Sequence, residues 1–225
     1  MAADLRQAAT LLAARHPGLP LYLLGESMGG AVVMVACAES PPPEISGIIL
    51  SAPAVWGRST MNVFQRAALW MAYQVAPGWE LTGQGLEILP SDNIEMLRLL
   101  SRDPLVIKAT RIDAIKGLVD LMDQAAAAAR STSLPTLVLV GVKDEIIPAA
   151  PTWRAIAALP KPGTSQRAAL YPQGYHMLLR DLEAATVIDD VATWIADSAR
   201  RLPSGADRRA EDELARRRAE DEPRL

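Results

Sequence analysis

Short apolar runs alternate with longer helical stretches along this chain, a rhythm that predicts a parallel sheet covered by helices. Asp4 to Arg15 carries apolar residues at helical spacing and stops at His16-Pro17-Gly18. Leu21 to Leu24 reads as a short apolar strand, and Ala31 to Ala38 as a buried helix closed by Pro41-Pro42-Pro43. Ile45 to Ala52 is a second apolar, β-branched run that suits a strand covered on both faces. Leu134 to Gly141 predicts a third strand, Trp153 to Leu159 a short helix, Ala168 to Tyr171 a fourth strand, and Asp181 to Leu202 a long final helix. From Pro53 to about Arg130 the pattern changes to helical stretches rich in Met and Trp, broken by Pro77-Gly78, Gly83, Gly85 and Pro90. Beyond Leu202 charges of both signs mix with almost nothing apolar, which predicts a disordered or frayed helical tail over residues 203–225. No internal repeat is present.

The join between the first strand and its helix carries candidate chemistry. Gly25-Glu26-Ser27-Met28-Gly29 is a G-x-S-x-G turn set between strand and helix, a context that holds a serine hydroxyl above the edge of a sheet. Gly25 and Gly29 have no Cβ, so strand and helix can approach closely while Ser27 takes a strained conformation. The backbone N–H of Met28, at the start of the helix, then points where a carbonyl oxygen would become an oxyanion. Glu26 reads as a solvated or hydrogen-bonded carboxylate.

A serine nucleophile needs a base, and the chain holds two histidines. His16 enters the elbow strand at the end opposite Ser27. A strand of about six residues at roughly 3.3 Å each puts the two on the order of 20 Å apart. His176 instead follows the fourth strand, in Tyr171-Pro172-Gln173-Gly174-Tyr175-His176, on the side where parallel strands place their sites. The base in turn needs a carboxylate to fix its tautomer. Asp144 and Glu145, side by side just past the third strand, both qualify.

Composition removes several other readings. With 225 residues, half of them hydrophobic, the chain suits one globular domain with an insertion. A net charge of −3 without a basic, aromatic-laced stripe argues against a nucleic-acid partner. Cys37 is the single cysteine, which excludes an internal disulfide and a multi-cysteine zinc site, and it reads as a packing residue. Two histidines and one cysteine give little basis for a catalytic metal. Gly83-Gln84-Gly85 lacks the strand and helix that flank a dinucleotide loop. No apolar run is long enough to span a membrane and no signal peptide is evident, so a cytoplasmic location is expected.

Taken together, the elbow G-E-S-M-G-G, the run Ser51 to Ala54, the segment Arg102 to Arg111, the acid loop G-V-K-D-E-I-I-P and the histidine loop G-Y-H-M-L-L-R-D resemble bacterial monoacylglycerol lipases and lysophospholipases of the α/β-hydrolase superfamily. The resemblance covers roughly Ala2 to Arg201. It implies a serine ester hydrolase with no cofactor, acting on single-chain lipid esters through Ser27, Asp144 and His176; the family pattern is what favours Asp144 over Glu145. It also implies an α/β core over residues 1–55 and 131–202 and an inserted helical lid over 56–130. Trp56, Phe64, Trp70 and Met71 of that segment are expected to line an acyl pocket or a membrane-surface entrance. The family carries further strands and a His-Gly oxyanion turn before the elbow, and no His-Gly pair occurs here. The chain is therefore expected to be the C-terminal portion of an α/β-hydrolase fold, poorly active alone. An aminopeptidase-like or small-ester specificity, or a non-catalytic fragment, are the competing expectations.

Overall fold

The computed structural model describes residues 1–38, 41–83, 85, 87–160 and 165–221. Gln84 of the Gly83-Gln84-Gly85 turn and residues 222–225 of the expected tail lie outside the described residues.

The four apolar runs form β1 (Leu21–Glu26), β2 (Ile45–Ser51), β5 (Thr136–Gly141) and β6 (Gln166–Tyr171), paired in parallel in the order β1-β2-β5-β6. The register aligns Glu26 with Ser51, Ser51 with Leu139, and Gly141 with Tyr171, so all four strands end on one rim. Alternation along each strand sorts the core into two layers. Ile48, Leu50, Val138 and Val140 face one side, packed with α2 (Met28–Ala38), α5 (Ile112–Ala128) and α6 (Ala149–Ala157). Ile49, Leu137, Leu139, Ala169 and Tyr171 face the other, against α7 (Ala184–Ala196). A sheet buried on both faces explains why β2 and β5 read as continuous apolar runs rather than alternating ones. Each fully buried Leu or Ile contributes about 1.5–3 kcal/mol.

At the start of the chain α1 (Ala2–Arg15) buries only Ala9 among its residues and packs against α2. Between β2 and β5 run α3 (Val63–Val75), β3 (Glu80–Thr82), α4 (Ile94–Arg102), β4 (Ala109–Arg111) and α5. The antiparallel ribbon of β3 and β4 corrects the expectation that this stretch is helical throughout. Its two strands have three residues each and no buried face, so no period-two pattern marked them. The segment also divides by packing. Val119, Met122 and Ala125 of α5 belong to the same core as α2, whereas no residue of α3 or α4 is buried. Arg58 ties the start of the segment to α5 through Asp120 and Asp123, and its backbone N–H donates to Asp123 at 2.7 Å.

Two expectations for the C-terminal region are corrected. The final helix predicted over Asp181 to Leu202 is shorter, because Asp197 turns to an extended conformation and ends α7 at Ala196. Of the two forms expected for the tail, disordered or frayed helical, the structure has a helix, α8 (Ala206–Asp221), and it lies along β6 instead of standing free in solvent. Arg209 Nε donates to the Leu170 carbonyl of that strand at 3.0 Å, capping an otherwise open sheet edge. Ala206 joins one core layer and Ala210 the other, and buried Asp207 pairs with buried Arg167 of β6. Small alanines and charged side chains hold much of the helix in place, a signal that an apolar periodicity does not carry.

Candidate active site

The elbow is built by a single residue between strand and helix. Ser27 follows Glu26 of β1 and precedes Met28 of α2, with φ at +53°. That conformation is disfavoured for an L side chain, by about 1–3 kcal/mol, and survives only where the surroundings enforce it. Here they do. Ser27 N–H donates to the Ser51 carbonyl at 2.9 Å, and its own carbonyl accepts from Ala54 N–H at 3.0 Å and Ala31 N–H at 3.2 Å. The run Ser51 to Ala54 thus forms a collar around the serine, and Ala52 within it is itself at φ +43°. Met28, the first residue of α2, leads with one of the helix N–H groups that have no intrahelical acceptor.

The two glycines of the turn differ in role. A Cβ on Gly25 would stand 2.5 Å from the Gly29 carbonyl oxygen, an overlap with backbone that cannot be relieved by a rotamer. A Cβ on Gly29 would meet nothing within 4 Å, which corrects the expectation that both glycines serve close approach. The second tight position is Gly30, whose Cβ would lie 3.0 Å from Pro53.

The acid and the histidine come from the loops after β5 and β6. These loops cross at Gly141, where a Cβ would lie 2.4 Å from the Tyr175 carbonyl oxygen. Val142 N–H donates to Tyr171 and Lys143 N–H to Gly174, so the two turns are laced together by their backbones. That lacing brings His176 Nδ1 to 3.0 Å from Asp144 Oδ2, with both side chains buried at 8% and 7% exposure. The other oxygen, Asp144 Oδ1, accepts from Ile146 N–H at 2.8 Å and Ile147 N–H at 2.9 Å. Those amides fix the orientation of the carboxylate. Glu145 points elsewhere and accepts from Leu89 N–H at 3.0 Å. His16 sits at the end of α1, before β1, on the opposite rim from Ser27.

The expected pocket residues are less uniform. Trp56 packs partly buried against the core. Phe64, Trp70 and Met71 lie on α3 with exposures of 81%, 64% and 59%. None of the four lines the cavity of about 300 Å³ beside the acid, whose wall includes Ala52, Gly141, Asp144 and Trp153. Burial pushes the Cys37 thiol up to about 11, consistent with a side chain used for packing. Among the described residues no three His, Cys, Asp or Glu side chains stand together as a metal site would need. No helix among them is long and apolar enough to cross a membrane.

Two side chains near the histidine carried no motif of their own. Buried Asp181 accepts from Ser91 Oγ at 2.7 Å and from Tyr175 N–H at 2.8 Å. The one trace in the sequence is the position of Asp181 at the end of the histidine loop's apolar run, where a carboxylate would not be expected to be buried.

A family model described as "Serine aminopeptidase, S33" matches residues 1–183. The monoacylglycerol lipase of Mycolicibacterium smegmatis is 31% identical over 206 residues, which cover 85% of this chain and 68% of that protein. The monoglyceride lipase of Rattus norvegicus is 28% identical over 200 residues, covering 86% of this chain and 64% of that protein. The crystal structure of Paleococcus ferrophilus monoacylglycerol lipase matches with a TM-score of 0.67 and 25% identity, over 84% of this chain and 73% of that one. The chain thus spans about two thirds of the length of these relatives.

Proposed function

The chain belongs to the serine aminopeptidase S33 family and has the α/β-hydrolase fold, and on that premise we propose that it hydrolyses single-chain lipid esters through an acyl-enzyme on Ser27. Monoacylglycerols and lysophospholipids are the substrate class. The observation that carries this reading is the buried hydrogen bond between Asp144 Oδ2 and His176 Nδ1. A carboxylate on Nδ1 keeps that nitrogen protonated and leaves Nε2 free to accept a proton.

In this mechanism Ser27 Oγ attacks the ester carbonyl carbon while His176 Nε2 takes the hydroxyl proton. The carbonyl oxygen gains the negative charge and is met by the Met28 N–H, aided by the N-terminus of α2. Collapse expels the alcohol, which receives the proton from His176, and leaves the acyl group on Ser27. Water, deprotonated by His176, then attacks the acyl carbon; the fatty acid leaves and Ser27 recovers its proton. Asp144 stays ionised throughout and stabilises the imidazolium.

The segment over residues 56–130 supplies the cap in this reading. Val63, Phe64, Trp70, Met71 and Val75 of α3 are all exposed, a surface suited to contact with a lipid layer from which the substrate is drawn. The names of the relatives support the lipid assignment. The description of the family model favours a second reading, hydrolysis of an amide at a peptide N-terminus.

An alkyl fluorophosphonate is the direct test, because only an assembled site phosphonylates its serine. Labelling at Ser27 that disappears in Ser27→Ala supports the mechanism, and undiminished labelling of that variant overturns it. Comparison of p-nitrophenyl esters of rising acyl length with aminoacyl p-nitroanilides separates the two substrates. A preference for medium or long acyl esters is expected, and faster anilide cleavage would favour the peptidase.

A further inference from the structure

We propose that Ser91 and Asp181 are positioning residues for His176, and that segment 89–93 is a strap through which the inserted region sets the placement of the acid–histidine pair. This rests on the hydrolase reading above. His176 has no regular secondary structure to hold it, since it lies in the loop between β6 and α7. Its two chain neighbours are nevertheless fixed. Tyr175 N–H donates to Asp181 Oδ2 at 2.8 Å, and Met177 N–H donates to the Pro90 carbonyl at 2.9 Å. The other oxygen of Asp181 accepts from Ser91 Oγ at 2.7 Å, and both side chains are buried. A single dipeptide of the insertion, Pro90-Ser91, therefore reaches both sides of the histidine.

The strap has further ties. Asn93 Nδ2 donates to the Arg180 carbonyl at 3.0 Å, and Asp92 Oδ1 accepts from Leu182 N–H at 2.8 Å. At its other end Leu89 N–H donates to Glu145, next to the acid. The local turn is closed by Asp181 N–H donating to the Met177 carbonyl at 3.0 Å, which returns the Asp181 carboxylate to the backbone on the far side of His176. Desolvation pushes the Asp181 carboxyl above the usual aspartate range. A buried carboxylate kept for solubility or surface charge would not be placed so. Its bonds fix backbone rather than a reacting atom, so its effect on chemistry passes through the position of the imidazole. A displacement of about 1 Å at such a group can lower the rate about 10²-fold.

The test uses the full chain with an alkyl fluorophosphonate, resolving the reversible dissociation constant from the rate of covalent labelling. Asp181→Ala and Ser91→Ala are expected to slow labelling, the first about 10²-fold and the second about tenfold, with the dissociation constant within about twofold of wild type. Asp181→Asn is expected to recover most of the rate, because its amide oxygen still accepts from Tyr175 and its NH2 can donate to Ser91 Oγ. Hydrogen exchange at the Tyr175 and Met177 amides should rise in Ser91→Ala, a readout independent of activity. If Asp181→Ala does not fold, Ser91→Ala decides alone. Wild-type labelling rate and exchange in Ser91→Ala would overturn the strap, and equal losses in Asp181→Asn and Asp181→Ala would overturn positioning as the cause. Should the wild type fail to label at Ser27, the hydrolase reading falls, while the exchange measurement still decides whether the strap holds the histidine loop.

Discussion

His176 Nδ1 meets Asp144 Oδ2 at 3.0 Å, while Glu145, one residue further on, turns away to the backbone N–H of Leu89. Two adjacent carboxylates after β5 thus take separate work. The division comes from the turn itself, because Ile146 and Ile147 both donate to Asp144 Oδ1 and hold that side chain against the histidine. Asp144→Asn is expected to lower kcat about 10³–10⁴-fold by favouring the wrong imidazole tautomer. Glu145→Gln keeps an acceptor for Leu89 and should stay within about threefold of wild type, since that bond is to an exposed neutral amide. Steady-state hydrolysis of a p-nitrophenyl ester measures both. A larger loss in the glutamine variant would reverse the assignment.

The elbow makes a sharper distinction than its motif does. Gly25→Ala drives a methyl to within 2.5 Å of the Gly29 carbonyl, so strand and helix must separate. Overpacking of this kind, against backbone, should cost about 3 kcal/mol or more. Gly29→Ala places its methyl in open space, and the helix preference for alanine leaves it within about 1 kcal/mol of wild type, in the stabilising direction. Urea denaturation of the two variants checks the pair. Equal destabilisation would show that the motif acts through flexibility and not through close approach.

How much of this was legible in the residues follows from what each element uses to hold itself. Strands β2 and β5 were the plainest to read, because burial on both faces leaves an unbroken apolar signature in Ile45 to Ala52 and Leu134 to Gly141. The elbow was readable because a strained serine between strand and helix needs a glycine before it. Neither the choice between Asp144 and Glu145 nor the bond from Ser91 to Asp181 leaves a mark of that kind. Each depends on how a loop turns, and serine and aspartate are common in turns for local reasons. The β3–β4 ribbon escaped notice because all its strand residues but one are exposed. The packing of α8 escaped notice because its anchor is a charge, Asp207, in a run made mostly of charged and small residues.

That anchor gives a third prediction. Asp207 is fully buried against Arg167, itself buried in β6, and also pairs with Arg201 at 3.1 Å. A solvating tail would tolerate Asp207→Ala without effect. The packed helix would not, because removing one partner of a buried pair leaves the other charge uncompensated, at about 3 kcal/mol or more. The Arg200 and Ala199 carbonyls still accept from Arg167 and keep the loss from growing much beyond that. Denaturant midpoints for wild type and Asp207→Ala decide the matter, and unchanged midpoints would return α8 to the status of a solvated appendage.

Asp181 supplies a pH dependence whose sign can be worked out. Desolvation raises its carboxyl above the ordinary 3.8, opposed by hydrogen bonds from Ser91 and Tyr175 N–H, assisted by the charge of Asp92, and opposed by His176. A group whose folded value exceeds its unfolded one stabilises the fold fully below the unfolded value, and that contribution is lost as pH climbs through the raised folded value. Asparagine cannot ionise and so loses nothing over the same window. The difference in Tm between Asp181→Asn and wild type should therefore become more positive as pH rises from about 4 to about 7, whatever its value at the acid end. Calorimetry at the two pH values measures it. A difference that stays level would mean that hydrogen bonds from Ser91 and Tyr175 offset the desolvation in full, and a difference that falls would mean that the folded chain prefers the ionised form.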